Sequence, residues 1–304
     1  WLPQAFSPRT GLVYLPIMDV GALIGPPPPN ATGFTAGMGV TMLVDPELPG
    51  SRRSFLKAWD PIKQQQVWNI ELPGDWPGGV LATAGELVFQ GRIDGYLKAY
   101  NAVTGEEVWS YKTAAPIVAP PISYAVNGKQ FISVMTGNGS QGGGILATGN
   151  AAYRTDYALP RRLLTFALDG KAKTPPFTMP ERVPLKDPDF KPDPDRIKSG
   201  AYAFATSACL VCHGMNAIGG GAAPDLRYSP MVLSAEVFKS VVKDGALKAR
   251  GMPPAPMLPD NLLEDIRHYL RFRAMQAPAE AAALQSGQPA STTPAAGESV
   301  STGT

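Results

Sequence analysis

Ala99-Tyr100-Asn101-Ala102-Val103-Thr104-Gly105-Glu106-Glu107-Val108-Trp109 has an earlier counterpart in the same chain, Ala58-Trp59-Asp60-Pro61-Ile62-Lys63-Gln64-Gln65-Gln66-Val67-Trp68, offset by 41 residues. Both run Ala, aromatic, Asp or Asn, a turn, then Val-Trp. A period of about 40 to 50 residues in β-type sequence is that of a propeller blade. Each repeated position has a mechanical reason. A small Ala at a strand end leaves room for a neighbour's ring. Asp, Asn and Thr side chains bond local backbone and fix the turn. The Trp on the outer strand buries a large apolar face between blades and brings an N–H that needs an acceptor. Residues 5–14 read as a weaker copy, and Phe166-Ala167-Leu168-Asp169-Gly170 as a truncated one.

One blade can be followed between the repeats. Val80 to Thr83 and Glu86 to Gln90 are strands joined at Ala84-Gly85. Asp94-Gly95 reads as a two-residue hairpin turn leading into Tyr96 to Tyr100, and Thr104-Gly105 leads into Glu106 to Tyr111. Asn127-Gly128 between Ile122–Val126 and Gln130–Val134 marks a further hairpin, since a type I′ turn requires φ > 0 at both central residues.

Composition agrees. Of 304 residues, 32 are Gly and 32 Pro. That is about a fifth of the chain, against an ordinary share near ~12%. This disfavours a helical bundle and any coiled coil, and the 44% apolar content disfavours whole-chain disorder. A net charge of +2 gives no basic face for nucleic acid. The longest apolar stretch, Gly11 to Gly25, is broken by Pro16 and Asp19, short of the ~20 clean residues of a membrane span. Residue 1 is Trp, with no signal region following, so the chain is expected to be a fragment of a longer protein.

Beyond residue 173 the character changes. Residues 174–198 hold seven prolines among alternating charges, which suits an extended linker over a surface. A compact unit is expected over 199–276, and the Ala/Ser/Thr/Pro/Gly-rich stretch 277–304 reads as a disordered tail.

Both cysteines of the chain lie in Cys209-Leu210-Val211-Cys212-His213, the c-type haem attachment pattern. Thiols at i and i+3 share one face of a helical turn and can take two vinyl groups of one porphyrin as thioethers. His213 then presents an imidazole nitrogen to the iron. A covalent haem also supplies apolar surface that a unit of this size lacks. Gly251-Met252-Pro253-Pro254 offers a distal thioether, 39 residues after His213. Met257 is its main rival. Met231 precedes a helix, and Met215 is too close to the proximal histidine to reach the other haem face. A redox disulfide or zinc site is poorly supplied, with no second Cys pair. Helices are expected over 195–207, over 235–244 capped by Ser234, and from Asp260 through Met275, with Arg267, Arg271 and Arg273 mainly outside. His268 reads as structural, and Gly219-Gly220-Gly221 as a loop along the haem edge.

Repeats of Ala-x-Asp-x-x-Thr-Gly-x-x-x-Trp type, a Pro-rich linker and a Cys-x-x-Cys-His unit together resemble the quinohaemoprotein alcohol dehydrogenases. Leu81 to Gly91 and Asp94-Gly95-Tyr96-Leu97-Lys98-Ala99-Tyr100 resemble that family's late-propeller signature. The likeness is nearest to the membrane-associated dehydrogenase subunit of acetic-acid-bacterium type, and covers nearly all of residues 1 to 275. It implies a multidomain chain, the remaining blades of an eight-bladed all-β propeller followed by an all-α cytochrome c domain. It also implies pyrroloquinoline quinone (PQQ) and Ca²⁺ near the propeller axis, and oxidation of primary alcohols to aldehydes in the periplasm. Electrons would pass through haem c to a cytochrome c subunit and ubiquinone, with peripheral membrane association through a partner subunit. Only three to four blades are present. The family's adjacent-cysteine disulfide, catalytic Asp and Ca²⁺ ligands are expected upstream of Trp1. Trp76, before Pro77-Gly78-Gly79, stands where the family places a residue near PQQ, and equally suits a blade-packing role. The alternative function is a non-enzymatic propeller-cytochrome electron relay.

Overall fold

Alternation of apolar and polar residues builds the N-terminal part. In β2 (Leu12–Asp19) the residues Leu12, Tyr14 and Pro16 point inward, and in β5 (Arg53–Asp60) Ser54, Leu56 and Ala58 do so. The computed structural model describes residues 2–19, 23–25, 41–43, 53–74, 76–137, 157–219 and 223–285. With β1 (Ala5–Ser7) and β6 (Gln65–Leu72), these strands form an antiparallel sheet in the order β1-β2-β5-β6. β3 (Leu23–Gly25) and β4 (Thr41–Leu43) pair separately. The second sheet is β7 (Val80–Ala82), β8 (Leu87–Gly91), β9 (Tyr96–Asn101) and β10 (Glu107–Lys112), paired in chain order. A third holds β11 (Ile122–Val126), β12 (Lys129–Met135) and β13 (Leu163–Phe166). Meandering four-stranded sheets packed face to face are propeller blades.

The repeat explains how the first two sheets dock. Asp60 accepts from the backbone N–H groups of Ile62 and Lys63, and Asn101 from those of Val103 and Thr104, so the same turn is fixed in both copies. Ala58 opposes Trp68 and Ala99 opposes Trp109, each pair beside a bulge that leaves Val67 or Val108 without a partner. Trp68 is 9% exposed, and its Nε1–H donates to the Ala102 carbonyl of the next sheet at 3.1 Å. Tyr14 Oη–H reaches the same carbonyl, also at 3.1 Å. The Trp68 ring packs directly on Gly105, where a Cβ would come within 2.9 Å of it. Leu12, Leu56, Val80, Val88 and Tyr100 fill the rest of this interface.

Two turn assignments change. Residues 5–14 are not a third copy of the outer-strand repeat. They form the inner hairpin of the first sheet, equivalent to β7–β8, because β1 pairs only with β2. Asp94-Gly95 is not a two-residue turn. Gly95 N–H returns to the Arg92 carbonyl, only Gly95 has positive φ, and Ile93-Asp94-Gly95 together make a three-residue loop. At Asn127-Gly128 both residues have positive φ, the two-residue geometry read from the sequence.

The C-terminal unit is helical. Asp193 caps α1 (Pro194–Thr206), accepting from the N–H groups of Asp195 and Arg196, with Pro194 at the first helical position. α2 (Cys209–His213) is a single turn. α3 (Ala235–Lys239), capped by Ser234, runs into a wider turn at Ser240–Asp244. α4 (Asp260–Gln285) crosses α1 at Gly200, where a Cβ would lie 1.9 Å from the Asp265 carbonyl oxygen. Beside that crossing the rings of Phe204 and Tyr269 meet at 5.8 Å. Their neighbours Ala203, Val232, Phe238, Leu263, Ile266 and Leu270 complete the core.

The expected end of the last helix is corrected. α4 continues beyond Met275 through Pro278 to Gln285, so the tail does not begin at 277. Ala277 is fully buried, and Glu280 pairs with Arg227 and Arg273, contacts that offset the interruption Pro278 makes in the helix ladder. Arg273 is accordingly buried rather than outside. Residues 286–304, like Gly220 and Gly221 of the glycine run, lie outside the described residues.

The segment between the two parts has no strand or helix from 167 to 193. Its start is tied to the sheets, where Thr174 bonds Tyr111 and Arg162 donates to the Pro175 carbonyl. Its end is tied to the helices, Arg182 to Asp225 and Asp187 to Arg271. Among the described residues, no helix is long and apolar enough to cross a membrane.

Candidate functional site

Cys209, Cys212 and His213 share the one turn of α2. The chain enters it through Ala208, which has φ +61° and so reverses direction sharply after α1. Neither cysteine is in a disulfide, and both are partly exposed. Burial pushes the Cys209 thiol up to about 11, so it is held as neutral S–H. Cys209 and Leu210 also touch the helical core.

His213 is buried, and its Nδ1 lies 3.1 Å from the Pro224 carbonyl oxygen. A carbonyl only accepts, so Nδ1 carries the proton and Nε2 keeps its lone pair. Burial lowers the imidazole's affinity for a second proton, which keeps it neutral and able to ligate. A hydrogen bond of this kind fixes ring orientation and raises the basicity of the ligating nitrogen.

The candidate distal ligands separate by environment. Met252 follows Gly251, whose φ of +92° turns the chain, and its N–H bonds the Leu247 carbonyl at 3.3 Å. Its side chain packs on the same core as Cys209 and Leu210. Met257 is 90% exposed and lines an open cleft of about 580 Å³ between α1 and residues 254–262. Met231 belongs to the short turn Pro230–Leu233. His268 accepts the Asp193 N–H at 3.0 Å through Nε2 and packs on Phe190 at 4.8 Å, so its free nitrogen is used in holding the entry of α1. Trp76 lies far along the chain from these groups, between β6 and β7. It is 3% exposed, and the backbone after it is clamped from three sides. There Gly78 accepts from Gln90, Gly79 donates to Val118, and Val80 donates to Pro3.

The residues that hold His213 were not legible as a motif. Asp225, next to Pro224, accepts from Arg227 and Arg182, and Arg227 in turn bonds Glu280. Arg273 bonds Glu280 and the Asn216 carbonyl. Only the Pro eleven positions after the histidine could have hinted at the acceptor.

Comparison with known proteins adds two matches. Residues 56–132 match the glucose/ethanol/alcohol dehydrogenase β-propeller family, and residues 195–270 the cytochrome c oxidase, cbb3-type, subunit III family. The alcohol dehydrogenase (quinone), dehydrogenase subunit, of Acetobacter aceti is 35% identical over 291 residues, which cover 90% of this chain and 38% of that protein. Quinohemoprotein alcohol dehydrogenase ADH IIB of Pseudomonas putida is 36% identical over 279 residues, 90% of this chain and 40% of its own length. Among solved structures, quinohemoprotein alcohol dehydrogenase ADHIIG of Pseudomonas putida HK5 superposes with a TM-score of 0.78 at 31% identity, covering 94% of this chain and 42% of that one. The Comamonas testosteroni enzyme gives 0.65 at 30%, with 90% and 41% covered. The chain thus spans about two fifths of the length of the relatives it matches. With a β-propeller match followed by a cytochrome c match, and about nine tenths of its length aligned, the chain is similar to the C-terminal part of the quinohaemoprotein alcohol dehydrogenases.

Proposed function

We propose that this chain is the electron-exporting part of a PQQ-dependent dehydrogenase that oxidises primary alcohols to aldehydes. The observation that carries the reading is the single turn Cys209–His213. It joins two thiols outside any disulfide to a neutral imidazole whose Nε2 is left free by the bond from Nδ1 to Pro224. That donor set, beside an apolar core, fits a covalently held haem c. Cys209 and Cys212 would hold the porphyrin as thioethers, and His213 and Met252 would ligate its iron. When bound, PQQ supplies a two-electron acceptor for the alcohol, and haem a one-electron carrier beside it. The protein's own work is positional. Pro224 keeps His213 in one tautomer, Gly251 turns Met252 inward, and the core excludes water.

The names of the relatives support the substrate class, including 1-butanol dehydrogenase (cytochrome c) of Thauera butanivorans at 35% identity. PQQ and Ca²⁺ are bound mainly by the upstream part of the family's proteins, with Trp76 contributing to the PQQ surroundings. The acceptors are a cytochrome c subunit and then ubiquinone, on the periplasmic face of the inner membrane, with attachment through a partner subunit. The relatives called "dehydrogenase subunit" are consistent with such a partner.

The test has two stages. After periplasmic maturation, intact-mass analysis should find one haem on the chain and both thiols consumed, and unmodified cysteines would refute the haem assignment. In the full-length parent supplied with PQQ and Ca²⁺, ethanol should reduce the haem. A folded, haem-loaded protein that stays oxidised would leave the relay reading in its place.

A further inference from the structure

Glu280 joins the two stretches of chain that flank the proximal histidine. One of its carboxylate oxygens bonds Arg227 and the other Arg273, at 2.8 Å. Arg227 is doubly bonded to Asp225, with Nε to Oδ1 at 2.9 Å and Nη2 to Oδ2 at 2.7 Å. Asp225 directly follows Pro224, the acceptor for His213 Nδ1. Arg273 Nε donates to the Asn216 carbonyl at 3.1 Å, three residues beyond His213. Side-chain exposures are 5% for Asp225 and Arg227, 9% for Arg273 and 12% for Glu280.

Buried ion pairs add little net stability compared with apolar packing, but removing one member leaves uncompensated charge. Their use is to fix one arrangement, and here the arrangement fixed is that of the loops around His213. Asn216 and Ala217 both have positive φ, at +57° and +62°; Asn tolerates this region, but Ala217 does not choose it freely, so the loop after the histidine is held there by its surroundings.

We infer that Glu280 is a positioning residue for the haem iron. Through Arg227 and Asp225 it holds the Pro224 carbonyl against His213 Nδ1, and through Arg273 it holds the Asn216 segment. It thereby sets how strongly the imidazole donates to the metal. This rests on the haem reading above. A firmly held Nδ1–H···O=C bond makes the imidazole a stronger donor and favours the ferric state. Loosening it shifts the balance toward ferrous iron.

The experiment measures the haem midpoint potential of the matured chain with Glu280→Ala, Glu280→Gln and, as control, Asp260→Asn. The control removes the pairs of Asp260 with Lys239 and Lys243, neither of which bonds Asp225, Arg227, Arg273 or Glu280. For Glu280→Ala the ferrous-to-ferric ratio at fixed ambient potential should rise on the order of tenfold, about 59 mV for a one-electron couple. Glu280→Gln, which still accepts from one arginine, should rise less, and the control should not move. Should the Ala variant fail to accumulate, the same reading on the Gln variant decides. A haem-loaded variant with an unchanged potential overturns the role of Glu280. A chain that matures without covalent haem refutes the haem reading instead.

Discussion

Trp68 and Trp109 occupy the same place in the repeat, yet removing them should cost very different amounts. Trp68 is 9% exposed and Trp109 39%, a difference of 30 points. On a Trp side chain that buries up to about 250 Å², this is roughly 75 Å², or about 2 kcal/mol at ~25 cal/mol/Å². The bond from Trp68 to the Ala102 carbonyl adds about 1 kcal/mol. It adds no more, because Tyr14 still donates to that carbonyl when the indole is gone. Trp68→Ala should therefore destabilise the sheets by about 3–5 kcal/mol, as for other buried aromatics. Trp109→Ala, whose ring edges meet Phe89 and Phe166 but face solvent on one side, should cost about 1–2 kcal/mol. Urea unfolding followed by the β-sheet circular dichroism signal compares the two. Equal losses, or a larger loss for Trp109→Ala, would refute the claim that docking onto the next blade's turn is what gives this Trp its weight.

Other outcomes follow from the helical part. With a thioether on ferric iron, the oxidised protein should show a weak sulfur-to-iron band at long wavelength. Met252→Ala should abolish it and Met257→Ala should leave it, and the reverse result would transfer the ligand role. In the haem-free chain, Cys209 should alkylate at pH 8 about a hundredfold more slowly than an unperturbed thiol, its rate rising tenfold per pH unit toward about 11. A plateau near pH 9 would contradict the burial argument. Asp187 is held below the usual carboxylate range by Arg271, with bonds of 2.7 and 2.9 Å. Its stabilising contribution is present above the unfolded value near 3.8 and is lost as pH falls through the lower folded one. Asp187→Asn should cost about 1 kcal/mol at neutral pH, given partial exposure, and should speed proteolysis within residues 176–186. Unchanged cleavage would refute the tether.

What could be read ahead of the structure was whatever is local in the chain. Cys209-x-x-Cys212-His213 is contiguous, and so is its chemistry. Asn127-Gly128 specifies its turn by steric rules alone. The blade between residues 80 and 112 could be traced because its turns punctuate it. Where tertiary context decides, the reading failed. Asp94-Gly95 carries the same local signal as a two-residue turn, yet Ile93 is drawn inside, at 3% exposure, and lengthens the loop. Pro278 is a helix breaker by propensity, but Glu280 beyond it is anchored to arginines 53 and 7 residues earlier in the chain. Pro224, Arg227, Arg273 and Glu280 form one assembly around His213 only after folding, and no spacing announces them.

The two attachment points of the Pro-rich segment have a kinetic meaning. Pro175 is bound to the sheets and Arg182 to the helices, seven residues apart. A fully extended chain of that length reaches at most about 25 Å. The helical unit is therefore leashed to the sheets and cannot be lost by dilution. Any exchange between them becomes an intramolecular event, at effective concentrations of order mM, so its rate should not depend on protein concentration.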